Sequence, residues 1–327
     1  MTTTTVRWGI AATGRIAASF VEDLALLDGH EVVAVGSRTA AGAEAFGERC
    51  GIPHRHGAYA DLATDPDVDV VYVASPQAGH APHTLLFLEA GKHVLCEKPF
   101  ALNAAEAAAM IDAATSRGLF VMEALWSRFL PAYVELRRLL DIGQIGTPQV
   151  VDSDFGFRLP IDPGHRLFDL ERGGGALLDL GIYPLQLATL VLGAPASVVA
   201  AAHLGETGVD ESTFAVVTHE GGGHSVSKAS IRTPFAGRAR IAGTDGVIEL
   251  PSPMHVPRSL TLTVGDDVQR IETPFDGNGL RFQAVEVAAR IAAGDVESPV
   301  MPHAETLRLA MLMDEIRTTI GLRFPGE

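Results

Sequence analysis

The sequence predicts an α/β, doubly wound parallel sheet followed by an α+β domain built on a largely antiparallel, open sheet. Three observations predict it. Up to residue 128, short apolar runs alternate with stretches of helical spacing. After about Phe129 several strand-like runs follow one another without helices between them. The chain has 327 residues, too many for one ordinary core, and 47% of them are apolar, enough to fill two.

Val6–Ala12 is the first apolar run, and Arg15–Leu27 has helical spacing. Glu31–Gly36 is β-branched, and Ala40–Cys50 reads as a helix. Val68–Ala74 (VDVVYVA) has the unbroken apolar character of a strand covered on both faces. His80–Ala90 is helical and stops at Gly91. His93–Cys96 is a strand. Asn103–Arg117 is a helix with a capping-box start, Asn103 and Glu106, and Gly118 as its stop. Phe120–Glu123 closes the alternation. Parallel neighbours need such helical crossovers, which is why this rhythm predicts a doubly wound sheet.

The helix Ala132–Leu140 and the turn-rich link Gly143–Pro148 lead to Val150–Phe157, an alternating strand. Gly173–Gly175 opens a helix reaching about Leu192. Strands are expected at Ser197–His203, Thr213–His219, Ser225–Arg232, Arg238–Ala242, Val247–Leu250 and Ser259–Val264, with Asp245–Gly246 as a hairpin turn. Two helices, about Gly279–Ala293 and His303–Ile320, end the chain. The expected division is a nucleotide domain at 1–128 and a substrate and dimerisation domain at 129–327, with the last helix able to pack back on the first.

A formal charge of −15 argues against nucleic acid and anionic membranes as partners. The two cysteines, Cys50 and Cys96, form no Cys-x-x-Cys pair and read as reduced thiols. Met1 to Thr5 is a short polar start without the pattern of a signal peptide, and no apolar stretch free of charge and loop signals is long enough to cross a bilayer. A cytoplasmic protein is expected.

The first strand runs into Ala12-Thr13-Gly14-Arg15-Ile16-Ala17. A dinucleotide fold needs small residues there, so that the chain can turn tightly and bring helix amides to a pyrophosphate. Ala12 stands where the first glycine is usual, Gly14 is the second, and Ala17 replaces the third. The second strand ends Gly36-Ser37-Arg38-Thr39, without the acid that would bind a ribose diol. Ser37 and Thr39 can hydrogen-bond a 2′-phosphate, and Arg38 can pair with it and stack on adenine, which favours NADP while leaving NAD possible. Ser75, Pro76, Gln77 and His80 follow a strand's carboxyl end, where a cofactor crevice lies. The pairs His80/His83 and His54/His56 lack a third ligand in the sequence, so surface or capping roles are expected and no metal.

Glu97-Lys98-Pro99, then Glu123-Ala124-Leu125-Trp126-Ser127-Arg128-Phe129, then Gly173-Gly174-Gly175-Ala176-Leu177-Leu178-Asp179-Leu180-Gly181-Ile182-Tyr183 occur in that order. With them the whole chain, from Arg7-Trp8-Gly9 to Pro325-Gly326-Glu327, resembles the glucose–fructose oxidoreductase / inositol dehydrogenase (Gfo/Idh/MocA) family. It is most similar to the branch of dimeric dihydrodiol dehydrogenases and NADP-dependent D-xylose dehydrogenases. The degenerate loop at Ala12 fits that branch.

The resemblance implies an NADP(H)-dependent oxidoreductase moving a hydride between nicotinamide and a sugar or vicinal-diol carbon. Such a transfer needs a group to take or give the hydroxyl proton. Lys98, Asp179 and Tyr183 are the implied catalytic set. Tyr183 lies four residues after Asp179, which puts the two on one helix face. A nearby ammonium such as that of Lys98 favours a phenolate. Many relatives carry His in place of Tyr183, so either Tyr183 or Lys98 can be the group that takes the proton. Glu97, Trp126 and Arg128 are implied near the cofactor. Phe155, Phe157, Arg166 and Phe275 are candidates for the substrate wall. A small-molecule substrate and a homodimer, formed through the open sheet, are implied. Two other readings stand beside this one: a non-catalytic NADP-binding, sugar-responsive regulator, and an NAD-dependent inositol dehydrogenase. The intact Lys98, Asp179 and Tyr183 speak against the first, and Tyr in place of His speaks mildly against the second.

Overall fold

The computed structural model describes residues 5–327; of the polar start, residues 1–4 lie outside the described residues. The chain divides into two compact units. One runs to Trp126 and takes up Asp276–Leu307; the other is made of Ser127–Phe275 and Arg308–Glu327. The segment Asp276–Leu307 thus belongs with the first unit, although it lies far beyond residue 128.

The first unit alternates β1 (Val6–Ala11), α1 (Arg15–Leu24), β2 (His30–Gly36), α2 (Ala40–Cys50), β3 (His54–His56), α3 (Tyr59–Ala63), β4 (Val70–Val73), α4 (His80–Glu89), β5 (His93–Glu97), α5 (Ala104–Arg117) and β6 (Val121–Ala124). Its six strands are all parallel, in the order β3-β2-β1-β4-β5-β6. The order reverses beside β1, between β2 and β4, and such switch points open a crevice at the strands' carboxyl ends. Every residue of β4 and of β6 is buried, which is why β4 is an unbroken apolar run and β6 is apolar but for Glu123. Asn103 caps α5 by accepting from the Glu106 amide at 2.9 Å, and Gly118 ends it at φ +65°, as the sequence predicts. β3 and α3 are not among the elements expected from the sequence. Three residues cannot announce a strand by periodicity; β3 exists because it pairs with β2, Ala34 against His54 and Gly36 against His56.

The second unit holds α6 (Pro131–Asp141), β7 (Pro148–Gly156), α7 (Ile182–Leu192), β8 (Pro195–Leu204), β9 (Asp210–His219), β10 (His224–Ser230), β11 (Ala239–Gly243), β12 (Gly246–Leu250), β13 (Ser259–Val264) and β14 (Asp267–Glu272). Eight strands form one sheet, β14-β13-β12-β11-β7-β10-β9-β8, antiparallel except where β7 runs beside β10. β14 was not expected: none of its residues is buried, so it shows no apolar alternation and owes its form to pairing with β13. α7 packs on β7 and β10 with Ile182–Thr189 buried on every side, the pattern of a core helix. Leu170–Leu192 is long and apolar enough to cross a membrane, a point the expectation above passed over, but 83% of its apolar window is buried within the protein. The sheet's other face is open. Register places Val150, Val199, Phe214 and Val216 on it, 39%, 67%, 44% and 43% exposed.

Two helices complete the chain. α8 (Arg281–Ala293) lies wholly in the first unit, and α9 (His303–Ile320) is divided between the two units after Leu307. Asp23 of α1 accepts the amides of Asn278 and Leu280 at 2.7 and 2.6 Å, tying the entry of α8 to α1.

Candidate active site

In the first unit, the turn between β1 and α1 is held by the Ala12 amide, which donates to the Gly36 carbonyl at 3.1 Å. Ala12 stands at φ +116°, the half of backbone space that favours glycine. Gly14 is the converse case. Its φ is −76°, and a Cβ added to it would meet nothing within 4 Å. Neither the backbone nor the packing of the chain demands glycine there, so the space in front of Gly14 is where a ligand can approach the main chain. Gly14 also heads α1 without any side-chain cap, leaving first-turn amides available to an anion. Thr13 and Ile16 are half-buried and Arg15 is exposed on this turn. A dinucleotide pyrophosphate fits this cradle.

Beside it, the Ser37 amide donates to the His56 carbonyl at 3.0 Å, and Thr39 is occupied as the cap of α2, accepting from Gly42 at 3.1 Å. Arg38 is exposed. Its charge reaches Tyr59 and His83, whose rings meet edge-on at 4.4 Å. Burial, and then Arg38, hold the His83 imidazole below its ordinary pKa. His83 Nδ1 lies 2.9 Å from Ser75 Oγ. Arg38, Tyr59, Ser75 and His83 therefore gather from four places in the sequence, and the sequence signals only Arg38 and Ser75.

His80 is not the surface or capping histidine expected. It is 1% exposed, with Nδ1 2.7 Å from the Pro99 carbonyl and Nε2 2.9 Å from the Ser75 carbonyl. One ring thus bridges the loop after β4 to the loop after β5. Burial pushes its pKa down to about 4, against the two carbonyls, which favour the protonated ring. Pro76 is exposed and Gln77 buried in the same loop. Glu97, 6% exposed, accepts from Tyr72 Oη and from the Lys98 amide, the latter at 3.2 Å. Glu123, 2% exposed, accepts from the Phe100 amide at 3.1 Å. Two buried carboxylates thus hold the backbone on either side of Lys98, which is itself half-buried. Trp126, 9% exposed, ends this part of the unit.

In the second unit, Gly174 and Gly175 allow close approach of neighbouring groups. A Cβ on Gly174 would run into the carbonyls of Arg166, Leu167 and Asp169 at 2.7 to 2.8 Å. Gly175 stands at φ +120°, and its Cβ would fall 2.1 Å from Asp210 Oδ1. Asp210, buried, accepts from the Leu177 amide at 2.7 Å and from Thr213 Oγ1 at 2.6 Å through Oδ2. Burial pushes its pKa up to about 7. Asp210 lies 33 residues beyond Leu177, and no local pattern in the sequence connects them.

Leu177–Gly181 is a π-helix rather than the start of an α-helix, and it leads directly into α7. Asp179 sits within it, 7% exposed, facing both guanidinium nitrogens of Arg166. Tyr183 lies just inside α7, 5% exposed; its ring meets Phe155 edge-on at 5.7 Å and His255 at 4.8 Å. His255 stacks on Phe155 at 4.3 Å, and Phe157 meets Phe155 edge-on at 6.1 Å. The structure so brings Phe155, Phe157 and Tyr183 together and adds His255, which lies in a loop without any sequence signal. Phe275 stands elsewhere, under Arg258 at 4.2 Å. Arg128 is 3% exposed and donates to the side chain and the carbonyl of Gln186, both at 3.1 Å. It anchors α7.

Comparison with known proteins agrees over the whole chain. An oxidoreductase family with an NAD-binding Rossmann fold matches residues 6–125, and a GFO/IDH/MocA C-terminal domain matches residues 133–249. Trans-1,2-dihydrobenzene-1,2-diol dehydrogenase of Bos taurus is 38% identical over 98% of this chain and 99% of its own; that of Xenopus tropicalis is 37% identical over the same shares. A 3-ketoreductase from Actinomadura kijaniata, solved with NADP and TDP-benzene, superposes with a TM-score of 0.87 at 28% identity, covering 97% of this chain and 98% of that one. An aldose-aldose oxidoreductase from Caulobacter crescentus, solved with glycerol, has a TM-score of 0.87 at 27% identity, covering 96% and 97%.

Proposed function

The chain belongs to the GFO/IDH/MocA oxidoreductase family, and from that we propose that it is an NADP(H)-dependent dehydrogenase or reductase acting on a vicinal diol or sugar. The observation that carries the reading is identity near 38% over 98% of the chain to enzymes named as diol dehydrogenases. The NADP-bound ketoreductase neighbour supports the cofactor.

The open turn at Gly14, with Ala12, Thr13, Arg15 and Ile16, holds the pyrophosphate. Ser37 and Arg38 hold the 2′-phosphate, with Tyr59 and His83 beside them. Ser75, Pro76, Gln77 and Glu97 shape the crevice, and His80 acts by keeping its two loops together. Trp126 borders the cofactor, and Arg128 positions α7 from within. The nicotinamide, when bound, supplies or accepts the hydride. Lys98 and Tyr183 exchange the proton at the carbinol oxygen, and Asp179 orients the hydroxyl. Phe155, Phe157 and Arg166 border the substrate, with Phe275 further out. The exposed Val199, Phe214 and Val216 favour a homodimer covering the open sheet, since a contiguous apolar face calls for a partner. A cytoplasmic location accords with this reading.

Near-ultraviolet absorbance of the purified protein with NADP⁺ or NAD⁺ tests the proposal against a panel of aldoses, inositols and aromatic trans-diols. Reduction of NADP⁺ with diols or aldoses is expected. Silence across the panel in both directions, with tight NADP binding, would convert the enzyme into a nucleotide sensor.

A further inference from the structure

The histidine pair on β3 lacks a third ligand in the sequence, but the fold brings one. His54 and His56 are two residues apart on a strand and so share a face. The chain returns past α3 and sets Asp65 against them. Asp65 Oδ2 lies 2.8 Å from His54 Nδ1 and 2.8 Å from His56 Nε2, and the three donor atoms lie within 4.8 Å of one another. We propose that His54, His56 and Asp65 form a site for a zinc-class divalent cation on the outer edge of the parallel sheet.

Four observations carry it. Asp65 is aimed before any ion arrives: its Oδ1 accepts the Asp67 amide at 2.9 Å, its own amide donates to Leu62, and its carbonyl accepts Lys92 Nζ at 2.6 Å. Its side chain is 4% exposed while the imidazoles are 39% and 23% exposed, so the carboxylate is fixed and an ion has a way in. The donor set, two imidazoles and a carboxylate with a position left for water, suits zinc, cobalt or nickel better than calcium or magnesium. Finally, a ring that ligates through Nδ1 carries its proton on Nε2, and the nearest carboxylate to His54 Nε2 in the cluster is Asp67, 4.0 Å away and half-exposed, within reach after a small side-chain rotation. A carboxylate behind a ligating imidazole fixes its tautomer and raises its basicity.

Without the ion, both rings donate to the one carboxylate oxygen. Binding leaves each ring's N–H on the nitrogen that does not face the ion. Tetrahedral ligands at about 2.1 Å from zinc stand about 3.4 Å apart, so each 2.8 Å contact opens by about half an ångström. Rotation of the part-exposed rings provides that. Lys92 and Arg7 bring positive charge nearby, but both are engaged: Lys92 on the Asp65 and Val68 carbonyls, Arg7 on Asp67 and Asp69. The site also adjoins the loop at Ser37, whose amide donates to the His56 carbonyl. An ion there clamps the three-residue edge strand to the loop after α3.

Isothermal titration of the full-length, chelator-treated protein with zinc chloride, with thermal unfolding in parallel, tests the site. One ion per chain at micromolar affinity and a zinc-dependent rise in Tm are expected. His54→Ala and His56→Ala should each weaken binding at least tenfold. Exchange of the exposed His203 for Ala should leave it unchanged, which separates this site from loose surface histidines. Both variants are checked for an unaltered unfolding profile without metal, and the half-exposed His54→Ala is the milder. Absence of zinc binding by the wild type, or binding that survives both substitutions, would overturn the proposal.

Discussion

Arg166 donates two parallel hydrogen bonds to Asp179, at 3.0 and 3.1 Å, so that the buried carboxylate of the π-helix is held by a side chain from a short 3₁₀ turn 13 residues earlier. Arg166 is itself 48% exposed at its side chain, and Asp179 9%. The fork geometry fixes the carboxylate plane, which a lysine cannot do. Arg166→Lys is therefore expected to lower kcat on the order of 100-fold with a small change in NADP affinity. Steady-state kinetics beside a cofactor titration check it; an unchanged kcat would show that Asp179 needs no such orientation.

Lys98 and Tyr183 are proposed to act on one proton. Lys98→Met and Tyr183→Phe should each lower kcat by about 10²–10⁴, and the double variant should be little worse than either. Single-turnover rates measure this directly, and additive losses would separate the two roles.

Arg38 is the charged side chain expected to read the 2′-phosphate. Loss of a charge-assisted contact corresponds to about 10–100-fold in affinity. Arg38→Ala should weaken NADP by that amount and NAD hardly at all. Equal losses in calorimetric titration would assign Arg38 to something common to both cofactors.

Asp210 links the second unit's stability to pH. Its folded pKa, about 7, lies above the ordinary 3.8 because burial disfavours the charge. An acid raised in this way binds more protons folded than unfolded, so its contribution to stability falls as pH rises from about 4 to about 7 and stays low above. The full span corresponds to about 4 kcal/mol. Asp210→Asn, which keeps an acceptor for Leu177, should flatten this decline and gain stability relative to wild type at pH 8. Denaturant unfolding at pH 5 and pH 8 decides it; identical pH slopes would place the titration elsewhere.

Ala12 pairs a side chain with a backbone that favours none. A non-glycine residue at φ +116° stores about 1–3 kcal/mol, and glycine's added freedom when unfolded takes back about 0.5–1 kcal/mol. Ala12→Gly is expected to raise Tm by about 2–4 °C without weakening NADP. A lower Tm would mean that the Ala12 methyl contributes packing larger than the strain.

The sequence by itself determined the doubly wound unit almost strand by strand. The reason is local: strands buried on both faces are predominantly apolar, and caps such as Asn103 and Gly118 sit beside the helices they bound. It also singled out the turn at Gly14, Arg38, Lys98, Asp179 and Tyr183 as site candidates, because these stand at strand ends or inside short motifs that can be read locally. The tertiary structure decided the rest. β3 and β14 exist through pairing with neighbours, since three residues, or a strand with no buried face, carry no period of their own. The glycines at 174 and 175 are needed because carbonyls and the Asp210 carboxylate crowd them, which only the folded backbone reveals. His255 reaches Tyr183, Asp65 reaches His54 and His56, and His80 reaches Pro99 across distances along the chain that no local rule spans. Periodicity reports what each segment does with water; which polar side chains then face one another is settled only when the segments pack.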